Sequence, residues 1–197
     1  MLLVSTLCDS RAEAMKILRE VPDNSVILFP ESVPLLSRSI KQYSIQKNLF
    51  IIFNNDVVIN GKTYIAMRAI DNGEYQWTVR KFKLWHSDFD DGFTPSKPEP
   101  FVTIGGRKAG VYICYDAVTL FKDFRQLINN QIEILMIPSN WDFNFELMER
   151  ITDFALKQVP CLKCCVFSNS NTMSYVKTQT DKKQIINTGC ISINIKS

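Results

Sequence analysis

Six short apolar runs recur along this chain, and they constrain its fold more than any other feature. Met1–Leu7, Val26–Phe29, Leu49–Phe53, Gly110–Cys114, Ile134–Ile137 and Cys164–Phe167 are too short for helices. Apolar runs of that length read as strands buried on both faces. Several are separated by helical stripes: Ala14, Ile17, Leu18 and Val21; Leu36, Ile40 and Tyr43; Leu120, Phe124, Leu127 and Ile128; Leu147, Ile151, Phe154 and Ala155. Ser10 and Glu13 fit a capping box ahead of the first stripe, each able to satisfy an orphan amide of the other. Strand–helix alternation of this kind requires α/β layers. The middle changes character. Asn54-Asn55, Asn60-Gly61 and Asp71-Asn-Gly73 are turn signals that separate expected hairpin strands at Asp56–Ile59, Thr63–Ile70 and Tyr75–Val79. The expectation is therefore a mixed sheet. Ser87–Pro100, polar and with three prolines, reads as a loop, and Ile185–Ile195 as a last strand.

A chain of 197 residues is within the size of one domain, so residues 1–197 are expected to form a single unit. A net charge of +3, spread without a basic stripe, points away from nucleic acid. No apolar run is long enough for a bilayer span, and Met1–Leu7 lacks the basic region of a leader. The six cysteines are therefore expected to be reduced, in the cytoplasm.

In open α/β sheets, ligands bind beyond the carboxyl ends of the strands. Glu31, Cys114 and Pro138-Ser-Asn-Trp141 fall at such ends. A cysteine nucleophile must become a thiolate, and an ordinary thiol titrates near ~8.5. Glu31 can take the Cys114 proton, and Lys81 can stabilise both the thiolate and the oxyanion formed on attack at a carbonyl or nitrile carbon. Labelling of Cys114 below the normal thiol range is the expected consequence. The backbone amide of Tyr115, at a helix start, is a second oxyanion donor. Each residue also has a structural reading. Cys114 can fill the core, Glu31 can balance a helix dipole, Lys81 can sit on a solvated strand face, and Asn140 and Trp141 can be a cap and a core aromatic. A Cys114–His86 dyad is a further alternative. Cys161-Leu-Lys-Cys164-Cys165 contains a CxxC, but structural zinc needs four ligands and no second pair exists, so no metal or cofactor is expected.

The ordered set resembles the nitrilase superfamily, the carbon–nitrogen hydrolases. Leu28-Phe-Pro-Glu31 is similar to the family's glutamate motif, and Val79-Arg-Lys-Phe-Lys-Leu-Trp85 to its lysine motif, a register that selects Lys81 over Lys83. Gly110-Val-Tyr-Ile-Cys-Tyr-Asp116 is similar to its cysteine elbow, and Ile137-Pro-Ser-Asn-Trp141 to the pocket segment that follows. Arg150, Ala155 and Asn169 fall at matching positions beyond it. The resemblance implies an α-β-β-α sandwich with mixed sheets and thiol hydrolysis of a small non-peptide amide or nitrile. Cys114 would be nucleophile, Glu31 general base, and Tyr115, Asn140 and Trp141 substrate-binding. It also implies a homodimer or larger assembly through the helices at 120–128 and 147–155. The chain departs from the pattern in places. The family's second glutamate is missing, and Asp88 is the candidate in its place. Ala117-Val-Thr-Leu120 replaces a Phe-Pro-Glu, and Lys157 stands where a glutamate is common. The family's C-terminal extension is expected to be absent, since little sequence follows Gly189-Cys-Ile-Ser192. These departures also leave room for a non-catalytic binding or assembly protein on the same fold.

Overall fold

The computed structural model describes residues 1–33, 35, 37–122, 124–141 and 145–195, so Leu36 of the second helical stripe lies outside it. The elements in order are β1 (Leu2–Leu7), α1 (Arg11–Glu20), β2 (Ser25–Leu28), α2 (Ser37–Gln46), β3 (Phe50–Asn54), β4 (Val57–Ile59), β5 (Lys62–Tyr64), β6 (Ala66–Asp71), β7 (Glu74–Arg80) and α3 (His86–Asp90). Then come β8 (Phe101–Ile104), β9 (Arg107–Val111), a 3-10 helix (Cys114–Phe121), α4 (Arg125–Asn129), β10 (Ile134–Ser139), α5 (Phe145–Gln158), β11 (Cys164–Asn169), β12 (Ser174–Lys177), β13 (Lys182–Ile185) and β14 (Gly189–Asn194).

Twelve of the strands form two mixed sheets, and β4 and β5 pair apart from them as a hairpin. One runs β7-β6-β3-β2-β1-β14, the other β8-β9-β10-β11-β12-β13. They join at β1 and β11 through the single pair Leu7 and Asn169. Leu3, Leu28, Ile52 and Met67 of the first sheet meet Val111, Ile134, Met136 and Val166 of the second in a buried layer between them. On the outer face of the first sheet, Ala14, Ile17, Leu18 and Ile40 of α1 and α2 cover Ile27, Ile51 and Phe53. On the outer face of the second, Leu120, Leu127, Met148 and Ile151 cover Leu135, Ile137 and Phe167. This is the α-β-β-α sandwich. It explains the unbroken apolar runs, because β10 splits at period 2, with Ile134 and Met136 entering one core and Leu135 and Ile137 the other.

Half of the expected capping box forms: the Ser10 side chain accepts the Glu13 N–H at 3.3 Å, but the Glu13 carboxylate accepts the N–H of Asp9, at 3.0 Å, in place of that of Ser10. Asn60-Gly61 and Asn72-Gly73 carry φ of 51° and 75°, and 46° and 77°. Positive φ at both central residues is what tight β-hairpins need.

Several expectations need correction. Thr63–Ile70 is two strands, because Asn55 and Asp56 both bond the backbone of Ala66 and turn the chain from one sheet into another. Ser87–Pro100 is not all loop, since α3 occupies its start. The strand expected at Gly110–Cys114 stops at Val111, three residues short of the cysteine. The helix expected across 120–128 is a 3-10 turn and then α4. Ile128 of α4 and Phe154 of α5 are 41% and 45% exposed, and the buried residues of α5 are Met148, Ile151, Thr152, Ala155 and Leu156. The expected tail strand is divided into β13 and β14, and β12 precedes it. Among the described residues no helix is long and apolar enough to cross a membrane.

Candidate active site

Glu31, Lys81, Cys114 and Asn140 leave the ends of β2, β7, β9 and β10. These strands all run the same way. β2, β9 and β10 belong to parallel pairs linked through β1 and β11, and β7 shares the direction of β3 because both pair antiparallel with β6. The four residues therefore meet on one rim. A cavity of about 480 Å³ opens there, lined by all the residues singled out from the sequence: Glu31, Lys81, Asp88, Cys114, Tyr115, Asn140 and Trp141.

Lys81 is its electrostatic centre. Only 1% exposed, it donates from Nζ to Glu31 Oε1 at 2.6 Å and lies 2.9 Å from Asp88 Oδ2. Its backbone is pinned on both sides, N–H to Ile65 O at 2.9 Å and carbonyl to the Ser96 N–H at 3.0 Å. The same Asp88 Oδ2 accepts the Trp85 N–H at 2.7 Å, which fixes the carboxylate at the head of α3. Asp88 thus occupies the position of a second carboxylate on the lysine. Burial is the largest single influence and pulls the Lys81 ammonium down, but the charge of Glu31 and the hydrogen bonds to Glu31 and Asp88 act together against it, and the net direction is up. The carboxyl of Glu31 is raised from its usual range, chiefly by burial, against the pull of Lys81.

Cys114 sits in an elbow. Its φ of 51° lies in the left-handed region, where, among the described residues, four of the other five that are not glycine are asparagines. The bend turns the chain out of β9 into the 3-10 helix and presents the thiol to the cavity that Glu31 also lines, where it is 8% exposed. Burial pushes the thiol up to about 12, and the charge of Glu31 adds to this. Lys81, the Ser139 hydroxyl and the Asn140 N–H act in the opposite direction. The expected low-titrating thiolate is therefore corrected: burial outweighs the lysine, and the resting sulfur is a thiol beside a base.

Two buried carbonyl-bearing side chains hold the surrounding loops. Asp116, fully buried, accepts the N–H groups of Phe82 and Lys83 through Oδ1 at 3.1 and 2.6 Å and that of Ile113 through Oδ2 at 3.2 Å. It ties the lysine segment to the elbow. Asn169 accepts the Trp141 N–H at 2.7 Å and donates to the Trp141 carbonyl at 2.8 Å. The side-chain oxygen of Asn140 accepts from Ser170 and, at 3.0 Å, from Asn171, so it is the backbone N–H of Asn140 that faces the sulfur. Tyr115 stacks edge-on with Trp85 at 4.9 Å and lies 6.4 Å from Trp141, forming an aromatic wall. His86 is exposed at the start of α3, against Trp85, and does not line the cavity.

Sequence reasoning quoted Asp116 only as part of the elbow motif and gave it no role. Its spacing two residues after the cysteine is the signal that it caps the elbow. Cys164 and Cys165, adjacent on β11, enter opposite cores.

No protein-family model matches the chain, and no curated protein matches it. Solved structures do. A cysteine-to-serine mutant of the Nesterenkonia AN1 amidase from the nitrilase superfamily aligns with TM-score 0.77 at 12% identity, over 100% of this chain and 92% of its own. The XC1258 protein of Xanthomonas campestris, a CN-hydrolase superfamily protein with an arsenic adduct in its active site, aligns with TM-score 0.78 at 12% identity, over 100% and 91%. A glutamate-to-glutamine mutant of the same Nesterenkonia amidase, with acrylamide added at the active-site cysteine, gives TM-score 0.76 at 11% identity, over 100% and 93%. At these identities the likeness shows the fold: the chain has the architecture of the nitrilase superfamily.

Proposed function

We propose that this protein hydrolyses a non-peptide C–N bond of a small amide through a thioester on Cys114. The observation that carries the reading is the cluster of Glu31, Lys81 and Asp88, buried in the wall of the cavity that holds the cysteine. Burying one ammonium with two carboxylates is costly, and on structural grounds alone an apolar replacement would serve as well. Such strongly perturbed groups in a cleft mark functional sites. That the solved structures of like fold include amidases with an active-site cysteine supports the same reading.

In the proposed reaction the Cys114 thiol passes its proton to Glu31 as sulfur attacks the carbonyl carbon. The developing oxyanion is held by Lys81 and the Tyr115 N–H. Collapse expels ammonia or an amine, which takes the proton from Glu31. Water then gives a proton to Glu31 and attacks the thioester, and the departing sulfur recovers that proton. Asp88 keeps Lys81 charged and aimed, and Trp141 closes the cavity over the acyl group. Every step needs only groups present in the site. The cytoplasm and a homo-oligomeric assembly remain part of the proposal, the latter resting on the exposed Ile128 and Phe154.

The test is turnover of a panel of amides, nitriles and carbamoyl compounds, with intact-protein mass spectrometry to trap the acyl group. Cys114→Ala and Glu31→Gln are expected to lose hydrolysis, and His86→Ala to retain it. Loss with His86→Ala alone would restore the dyad. Absence of any turnover or adduct, with the fold intact, would favour a binding role instead.

A further inference from the structure

The charge of the cavity is lopsided. Among the described residues that line it, Glu31, Asp56, Asp88 and Asp91 carry carboxylates, and Lys81 alone carries a cation. That cation is already shared, 2.6 Å from Glu31 and 2.9 Å from Asp88. Asp56 and Asp91 are exposed and belong to no ion pair, so two carboxylates at the open side of the cavity lack a counter-charge.

Beside Asp56 the wall is built of acceptors. β3 is parallel to β2, so Asn54 at its end lies on the same rim as Glu31. Asn54 is only 7% exposed, and it lines the cavity. Its Nδ2 donates to Asp56 Oδ1 at 3.1 Å and to the Ala66 carbonyl at 3.4 Å. Two acceptors around one end of the carboxamide settle which end is nitrogen. The oxygen at the other end has no hydrogen-bond partner. Asp56 Oδ1 also takes the Ala66 N–H at 3.3 Å, and Oδ2 is left over. A buried polar side chain is nearly always paired, because an unmade hydrogen bond there is costly. The unpaired atoms here are all acceptors, and they call for a ligand made of donors. Trp85, Phe93, Tyr115 and Trp141 line the same cavity, and aromatic faces attract cations.

We propose that the substrate is an amide carrying a cationic nitrogen group, a protonated amine or a guanidinium, held by Asn54, Asp56 and Asp91 while its carbonyl carbon lies at Cys114. This deepens the proposed hydrolysis and rests on Cys114 as the nucleophile. Asn54 and Asp56 belong to the first sheet and Cys114 to the second, so the substrate bridges the two walls of the cavity. The N–H donors of the cation pair with Asn54 Oδ1 and Asp56 Oδ2, and Asp91 adds charge at the mouth. An amide bearing a carboxylate meets no spare cation among the described lining residues, since Lys81 is committed to Glu31 and Asp88.

The test uses the full chain and two thiol reagents of similar reach and opposite charge. These are 2-aminoethyl methanethiosulfonate, a cation, and 2-sulfonatoethyl methanethiosulfonate, an anion. Labelling of Cys114 is followed by peptide mass spectrometry, and each rate is divided by that of 2-mercaptoethanol with the same reagent. The cation is expected to be favoured at Cys114 roughly tenfold or more, as hydrogen bonds to charged groups allow. Asp56→Asn and Asp91→Asn are each expected to cut that preference by a factor of about two to five, the range of partly exposed ion pairs. Both variants are expected to melt near the wild type, because an asparagine oxygen at position 56 can still accept from Asn54 and Ala66. No preference, a preference for the anion, or no labelling of Cys114 by either reagent would overturn the proposal. So would a cation preference that survives both substitutions together. Selective labelling without turnover of any amide would remove the hydrolysis and keep the cation site. Turnover of matched neutral and cationic amides with equal kcat/KM would keep the hydrolysis and remove the cationic substrate.

Discussion

The two sheets contribute to the rim by different physical means. The first supplies formal charge, Glu31 after β2 and Lys81 after β7, held by a buried ion cluster. The second supplies the nucleophile, Cys114 after β9, and the Asn140–Trp141 segment after β10. The charged side is held together by its own members, one ammonium shared by two carboxylates. The sulfur side is held by backbone, through a left-handed elbow and the carbonyl-bearing side chains of Asp116 and Asn169. The contrast teaches that a reactive group on the first side also carries stability, whereas the sulfur on the second does not.

The largest expected effect breaks that contrast open. Cys114→Ala and Glu31→Gln should each lower kcat at least about a thousandfold, as loss of a nucleophile or its base does. Cys114→Ala should nevertheless melt near the wild type. Lys81→Ala should lose about 3–5 kcal/mol of stability as well as activity, because it leaves Glu31 and Asp88 buried together without a counter-charge. Denaturant unfolding decides this, and equal stability of the lysine and cysteine variants would remove the distinction between the two sides. Asp116→Ala comes next. It strands three backbone N–H groups, and a loss of about 3 kcal/mol follows from the usual cost of unpaired buried donors. Because Asp116 joins the lysine segment to the elbow, its loss should also cut turnover. A variant that unfolds easily yet turns over normally would show that the two halves need no such tie.

The pH profile sharpens the charged side further. The acid limb of kcat/KM reports the free enzyme's base. Burial raises Glu31, so the limb should lie above the ordinary carboxylate range, with activity lost as pH falls and Glu31 gains its proton. The negative charge of Asp88 also raises Glu31. Asp88→Asn should therefore let Glu31 stay ionised to lower pH, and the limb should move down. A limb that stays in place or moves up would mean that Asp88 acts on something other than this pair. Cys114, raised to about 12, should add no inflection near neutrality.

What could be read from the sequence follows the same division. The parallel strands were legible because both their faces are buried, which gives uninterrupted apolar runs, and the rim followed from where those runs end. Glu31, Lys81 and Cys114 were found by type and order. The hairpin region was less legible, since Thr63–Ile70 carries no turn residue at Ile65, where Asn55 and Asp56 redirect the chain through hydrogen bonds to Ala66. β12 was hidden because Ser174–Lys177 is buried through pairing with β11, not through an apolar run. The sign of the Cys114 shift was misjudged for a physical reason: a lysine in the sequence announces its charge, but nothing in the sequence announces how deeply the sulfur is buried.

The smallest effect tests the backbone of the elbow. Cys114→Ala and Cys114→Gly remove the same sulfur and should both be inactive. They differ in what they do at φ 51°. An L-residue held in the left-handed region is strained by contact of Cβ with the following carbonyl, by about 1–2 kcal/mol, and glycine escapes that contact. Glycine also loses more freedom on folding, which offsets part of the gain. Cys114→Gly should therefore be more stable than Cys114→Ala by about 1 kcal/mol in denaturant unfolding. If alanine proves as stable as glycine, the elbow costs nothing, and the strain that places a side chain at the head of the cavity is not a burden the cysteine imposes. If glycine wins, the fold keeps at this position a residue that lowers its stability, and only the chemistry of the sulfur can account for it.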